Sequence, residues 1–123
     1  MRKSKKILLV DDEEDFLALL RQALEERGFE VVTVTNAVDA GIEIVSNLPA
    51  LILLDIKMPG IDGLEACEVL KKNPNTKDVP IIVVSALCDE SDIEAAKKAG
   101  VADYFVKPVD IEKLISRIRS IIG

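Results

Sequence analysis

Short apolar runs alternate with longer amphipathic segments along the chain. Four runs are almost continuously apolar, at residues 7–10, 51–54, 81–84 and 104–106, and a fifth at 30–34 alternates apolar and polar positions. Continuously apolar strands are typical of a parallel sheet that is buried on both faces. The pattern therefore predicts five strands of one parallel sheet, covered by helices.

The segments between these runs have helical periodicity. The first helical face begins at Phe16 and stops at Gly28, and Asn36 caps a second helix that continues to about residue 47. Three further helices are predicted, at about residues 63–72, 92–99 and 111–122. Strands that alternate with helices in this way predict an α/β fold with a doubly wound open sheet, and we expect residues 1–123 to form a single domain.

Composition and charge exclude several classes of function. The chain has 22 acidic and 16 basic residues, a formal net charge of −6, and no histidine. Nucleic-acid-binding surfaces carry clustered Lys and Arg, so we expect no direct nucleic-acid binding. The lack of histidine excludes Ser-His-Asp and Cys-His catalysis and the common zinc sites that use His. Cys67 and Cys88 lack CxxC spacing and are expected to be free thiols in a reducing compartment.

Four of the first six residues are basic, as at the start of a signal peptide, but the apolar run that follows covers only residues 7–10. No run approaches the roughly 20 apolar residues of a membrane span. We therefore expect a cytoplasmic protein without membrane contact, in which the basic start, through Lys6, is a solvated lead-in.

Polar residues stand at the carboxyl ends of the predicted strands, where ligands bind in such sheets. Asp11 and Asp12 follow the first strand, Asp55 the third, Ser85 the fourth and Lys107 the fifth. Taken singly, Asp11 and Asp12 could cap the first helix, Ser85 could be another cap, and Lys107 could be a solvated loop lysine. Asp55 is harder to explain in this way, because it directly follows four apolar residues and must be paired or hold a ligand.

Together, these residues favour phosphoryl transfer. Three carboxylates and one ammonium leave an excess of negative charge that a cation would relieve. Oxygen ligands without His or Cys favour a hard ion, and so few carboxylates suit Mg²⁺. Asp55 is a candidate nucleophile that would form an aspartyl phosphate. Asp11 and Asp12 would hold the metal, and Lys107 and Ser85 would contact the phosphoryl oxygens.

Four motifs resemble those of the receiver domain of bacterial response regulators in two-component signalling, including the chemotaxis receiver. They are LLVDD at 8–12, LLD at 53–55 with MPG at 58–60 and DG at 62–63, VSA at 84–86, and YFVKP at 104–108. The resemblance covers essentially the whole chain. It implies a (βα)5 flavodoxin-like fold, with a five-stranded parallel sheet of order 2-1-3-4-5 and helices on both faces.

The resemblance also implies a function. Asp55 would accept a phosphoryl group from a histidine kinase or phosphotransfer protein, with Mg²⁺ bound directly by Asp12 and Asp55 and mostly through water by Asp11. The third protein ligand would be the backbone carbonyl of Lys57. Lys57 and Leu87 also lie where the family tunes the access of water to the acyl phosphate. Such a domain catalyses only its own phosphorylation and dephosphorylation and is otherwise not an enzyme.

The resemblance further implies a switch. Lys107 would pair with the phosphoryl group, and its bond to Pro108 would be cis. The added charge of about −1.5 to −2 would draw Ser85 inward and let Tyr104 rotate, which changes the surface of the fourth helix, fifth strand and fifth helix. That surface would control a downstream protein or an effector domain, and a phosphorylation-dependent homodimer stays open.

Three alternatives compete with this interpretation. A receiver that works only as a phosphorylation-independent interaction module is disfavoured by the intact set of acids. A dehalogenase-type phosphatase also uses a strand-end Asp and Mg²⁺, but it needs an acid two residues after the nucleophile, where this chain has Lys57. A flavodoxin-like binding module needs a phosphate-binding loop after the first strand, where residues 11–15 are all acidic.

Overall fold

A computed structural model of the protein describes residues 5–123. Within them the chain forms seven strands and five helices. The strands are β1 (Lys6–Val10), β2 (Glu30–Val34), β3 (Leu51–Leu54), β4 (Lys57–Met58), β5 (Ile61–Asp62), β6 (Ile81–Ser85) and β7 (Asp103–Val106). The helices are α1 (Glu14–Glu25), α2 (Ala37–Ser46), α3 (Gly63–Lys72), α4 (Glu90–Lys98) and α5 (Ile111–Ile122).

The five longer strands form one parallel sheet in the order β2-β1-β3-β6-β7. Counted along the chain, this is the order 2-1-3-4-5, so the prediction of a flavodoxin-like fold is confirmed. The central register pairs Val10 with Leu54. Asp11 and Asp55 are the next residues of these two strands, so the sheet itself sets these two acids side by side.

The alternation of side chains along the strands divides the core into two layers. One apolar cluster joins α1 and α5 to the sheet, with Leu20 and Leu114 fully buried. The other joins α2, α3 and α4 to the opposite face, through Ala40, Cys67 and Ala96. Helices therefore lie on both faces of the sheet, as predicted. None of the helices in the described part of the chain is long and apolar enough to cross a bilayer.

The structure departs from the sequence prediction in the loops. Residues 57–62, for which no strand was predicted, contain a small antiparallel hairpin of β4 and β5. The turn of this hairpin contains Gly60, whose φ is 76°. The fourth helix begins at Glu90 rather than at residue 92, because Asp89 has the extended backbone of an N-cap residue and lets the helix start after it.

The expectation for the basic start was wrong at Lys6. Residues 1–4 lie outside the described residues, and Lys5 is exposed. Lys6 instead belongs to β1, is 2% exposed, and donates to the Glu43 carboxylate and the Asn47 carbonyl, both at 2.6 Å. A buried ammonium is stable only with such partners, so Lys6 ties the first strand to the carboxyl end of α2.

Candidate functional site

Three carboxylates meet at the carboxyl edge of the sheet. Asp11 and Asp55 are buried, at 3% and 5% exposure, whereas Asp12 is exposed. One oxygen of each carboxylate lies within 4.8 Å of an oxygen of the other two. The sequence prediction that these three acids form one cluster is confirmed.

Local backbone bonds orient the two buried carboxylates in the same way. Asp11 Oδ1 accepts the backbone N–H of Glu13 at 2.9 Å, and Asp55 Oδ1 accepts that of Lys57 at 2.8 Å. The second oxygen of each carboxylate is thereby turned towards the space between the two strand ends. The alternative role as helix caps is not supported, because the N-cap residue of α1 is Glu13 and its side chain does not cap the helix.

Lys107 reaches into this space from the end of β7. Its Nζ lies 2.7 Å from Asp11 Oδ2, 2.8 Å from Glu13 Oε1 and 3.3 Å from Asp55 Oδ2. The ammonium also lies 4.4 Å from the centre of the Phe16 ring, within range of a cation–π contact. The peptide bond from Lys107 to Pro108 is cis, as the resemblance implies.

Burial and the ion pairs perturb the charges of the site. Burial raises the pKa of the Asp11 carboxyl above its ordinary value of 3.8, although the hydrogen bond from Lys107 opposes the shift. Burial acts to lower the pKa of Lys107, but its hydrogen bonds to Asp11 and Glu13 outweigh that effect and raise it above 10.5. Lys107 is therefore a permanent cation beside a carboxyl group whose negative charge is costly.

The two predicted switch residues, Ser85 at the end of β6 and Tyr104 within β7, both hydrogen-bond to the backbone of Leu87. Ser85 is fully buried at the end of β6, and its Oγ accepts the backbone N–H of Leu87 at 3.3 Å. The hydroxyl of Tyr104, a half-buried residue of β7, donates to the Leu87 carbonyl at 2.7 Å. The backbone of Leu87 thus connects the strand-end serine to the tyrosine ring, which sequence spacing alone does not reveal.

The donor set fits a magnesium ion. Carboxylate and carbonyl oxygens are the ligands that Mg²⁺ takes in proteins, usually from one or two carboxylates, with water completing the shell. An open cleft of about 540 Å³, lined by residues that include Asp12, Glu13, Asp55 and Lys57, leaves room for that water. The cluster could therefore hold a divalent metal ion, as the sequence predicted.

Comparison with known proteins agrees with this geometry. The model of the response regulator receiver domain family matches residues 7–119, nearly the whole chain. The chain belongs to this family. It is a receiver domain of two-component response regulators, in which phosphorylation of an aspartate is typical.

Relatives and solved structures extend the comparison. The phosphate regulon transcriptional regulatory protein PhoB of Rhizobium meliloti is 38% identical over 117 residues, which are 95% of this chain and 52% of that protein. The response regulator PleD of Caulobacter vibrioides is 36% identical over 96% of this chain and 26% of its own length. A receiver domain from Bermanella marisrubri superposes with a TM-score of 0.90 at 35% identity, covering 98% of this chain and all of that one. The chain thus spans about half the length of PhoB and about a quarter of PleD.

Two residues of the site were missed by sequence reasoning. Glu13 was considered only as part of the acidic run at 11–15, yet it is the third carboxylate on Lys107. Phe16 was placed on the core face of α1, and its ring also contacts Lys107. Both stand within one helical turn of the strand-end acids, and that proximity along the chain is the signal that could have identified them.

Proposed function

We propose that Asp55 is the phosphoacceptor of this receiver domain. The observation that carries the proposal is the environment of its carboxylate, which is buried between the acids after β1 and the Lys107 ammonium. A histidine kinase or a phosphotransfer protein is the expected donor, as is usual for receiver domains. We further propose that residues 1–123 form one receiver domain that acts in the cytoplasm.

The reaction follows from the contacts of Asp55. Its Oδ1 is held by the Lys57 N–H, and its Oδ2 faces the open side of the cluster near Lys107. An Asp55 oxygen attacks the phosphorus, the phosphorus–nitrogen bond of the donor's phosphohistidine breaks, and the donor imidazole takes up a proton. Lys107 is the cation that would then pair with the transferred group, because phosphoryl transfer depends on positioning and charge neutralisation.

Asp11, Asp12, Asp55 and the Lys57 carbonyl would hold Mg²⁺. The ion would supply the positive charge that neutralises the phosphoryl oxygens. The chain's own contribution is to fix these acids at adjacent strand ends. Repulsion among three carboxylates, which the single Lys107 ammonium does not balance, is also the reason to expect that phosphorylation requires the metal.

We propose that the output surface consists of α4, β7 and α5. Support comes from the Ser85–Leu87–Tyr104 chain of hydrogen bonds, which joins the acceptor edge to the loop before α4 and to β7. A new anion on Asp55 would draw the Ser85 hydroxyl inward and break its bond with the Leu87 N–H. That change would free Tyr104 to move, and the altered surface would bind a downstream protein or an effector domain.

The test is phosphorylation by a small donor. The purified protein is incubated with Mg²⁺ and acetyl phosphate, and its intact mass is measured. We expect one added phosphoryl group, which is lost in Asp55→Asn and on chelation of the metal. Asp62→Asn, which removes the exposed acid that caps α3, should still be phosphorylated. An increment that survives Asp55→Asn would refute the assignment of the acceptor.

A further inference from the structure

The solvent side of α2 carries an unpartnered apolar stripe. Val38, Ile42 and Val45 recur at the i, i+4, i+7 spacing and are 72%, 60% and 88% exposed. The opposite side of the same helix packs on the sheet through Ala40 and Ile44. The helix thus carries apolar residues on its solvent side as well as on its sheet side, and contiguous exposed apolar surface marks an interaction site. Within the described residues, no other part of the domain covers this apolar face.

Beside the stripe, a groove of about 390 Å³ separates α2 from α3 and reaches down to the sheet. Its floor includes Val10, Ile52 and Leu54, and Val69, 60% exposed, stands on its α3 wall. We call this surface the α2–α3 groove; it is lined by Val10, Ala37, Ala40, Gly41, Ile44, Ile52, Leu54, Gly60, Asp62, Glu65, Ala66, Val69 and Leu70. Its volume lies in the range of ordinary binding clefts.

The glycine at position 41 supports an interaction site at this groove independently of the apolar stripe. It lies in the middle of α2 and lines the groove, yet a Cβ added there would meet no atom within 4 Å. Glycine inside a helix is destabilising by roughly 0.5–1 kcal/mol relative to alanine, and the packing of this domain does not require it. One turn earlier, Ala37 also lines the groove. Small residues at these two positions let another backbone approach α2 closely.

The charges around the groove select the occupant. The charged residues that line it, Asp62 and Glu65, are both acidic. Of the two acids of α2, Glu43 is paired with Lys6, and Asp39 adds a further negative charge. A second copy of the chain that inserted its own α2 would therefore bring acid against acid, and like charges across an interface are unfavourable. A partner segment with lysine or arginine beside its apolar face would be complementary instead.

We infer that the α2–α3 groove is a docking site for an amphipathic helix of another protein, with an apolar face and basic residues along its flank. The helix lies against Gly41 and Val69 and presents its basic residues to Asp62 and Glu65. The groove lies on the same face of the sheet as α4, but no residue of the proposed output surface of α4, β7 and α5 lines it. The inference does not depend on phosphorylation of Asp55.

The test uses two synthetic helical peptides with identical leucine positions, one with lysine and one with glutamate at all other positions. Each is titrated into the ¹⁵N-labelled protein with Mg²⁺ present, and backbone amide shifts are followed by NMR. We expect the lysine peptide to shift amides of α2 and α3, and to bind at least about tenfold more tightly than the glutamate peptide. Added salt should weaken its binding.

Three variants locate the site. Val69→Ser should weaken binding of the lysine peptide by about tenfold, because the docked helix would bury the exposed part of the valine side chain. Gly41→Leu should weaken it as well, although the space around residue 41 is open and the helix should form at least as readily. Leu19→Ser, which removes an exposed leucine of α1 on the opposite face, should bind like the wild type.

Several results would overturn the inference. Shifts centred on α1 or on the acidic cluster would show only general attraction of a basic peptide to an acidic protein. Equal binding of both peptides, or unchanged affinity in Val69→Ser and Gly41→Leu, would exclude this groove as the site. Sedimentation that shows a dimer which Val45→Glu dissociates would assign the stripe to a second copy of the chain instead.

Discussion

Gly63 packs directly against Ile56, in the loop that follows the proposed acceptor Asp55, and leaves no room for a side chain at position 63. A Cβ built on Gly63 would lie 2.3 Å from Ile56 Cα and 2.8 Å from the Ile56 carbonyl oxygen. Ile56 stands between Asp55, the proposed acceptor, and Lys57, whose N–H orients that carboxylate at 2.8 Å. Gly63→Ala must therefore displace the backbone that positions the site.

The size of the effect follows from this overlap. Both neighbours are backbone atoms, so no side chain can rotate away, and overpacking of this kind costs about 1–3 kcal/mol or more. For a domain of this size, about 2 kcal/mol corresponds to a fall of about 8 °C in Tm. Gly41→Ala is the matched control: it meets no atom within 4 Å and should raise stability by about 1 kcal/mol, since alanine is the better helix former.

Thermal unfolding by circular dichroism and Mg²⁺ titration by NMR provide the assay. Gly63→Ala should lower Tm and weaken Mg²⁺ binding by about tenfold, as changes beside metal ligands typically do, while Gly41→Ala raises Tm and leaves Mg²⁺ binding unchanged. If Gly63→Ala had the same Tm and the same Mg²⁺ affinity as the wild type, the backbone at Ile56 would be able to shift without loss of stability. The packing of Gly63 on Ile56 would then not be what holds the acceptor in place.

Further predictions concern the ion pair at Lys107 and the two free thiols. Glu13→Gln should speed phosphorylation by acetyl phosphate by about two- to fivefold at saturating Mg²⁺, because an exposed carboxylate that competes for Lys107 is lost; equal acceleration in Glu14→Gln would reduce this to a general charge effect. Exposed Cys88 should react with a thiol reagent at pH 8, and buried Cys67 only after unfolding. Burial raises the pKa of Cys67 from 9.0 to about 11, so between these pH values the folded state keeps a proton that the unfolded chain loses. The free energy of unfolding should therefore fall between pH 9 and 11. Urea titrations should show this fall in the wild type and a smaller one in Cys67→Ala.

The sheet and the acid cluster could be predicted because both follow from periodicity and strand ends. Residues 51–54 are continuously apolar and end directly at Asp55, so the buried strand and the acid at its carboxyl end are visible in one segment. Parallel pairing then places Asp11 beside Asp55 without further information. The strand order itself came from the resemblance, since periodicity does not specify which strands are neighbours.

The features that could not be predicted depend on contacts between side chains that are far apart in the sequence. In sequence, Lys6 resembles the other basic residues at the start of the chain, and the packing of α2 on β1 supplies acceptors for its buried ammonium. The third ion pair of Lys107 joins residues 94 positions apart. The exposed apolar stripe of α2 was not predicted either, because apolar residues of a helix are expected to pack against the core.

Chemical localisation of the phosphoryl group tests the central claim most directly. The protein is phosphorylated by acetyl phosphate with Mg²⁺ and treated at once with borohydride, which reduces an aspartyl phosphate to homoserine, and its peptides are mapped by mass spectrometry. We expect homoserine at position 55 alone. Conversion at Asp11 or Asp12, or a stable phosphate ester on Ser85 with residue 55 unchanged, would contradict it.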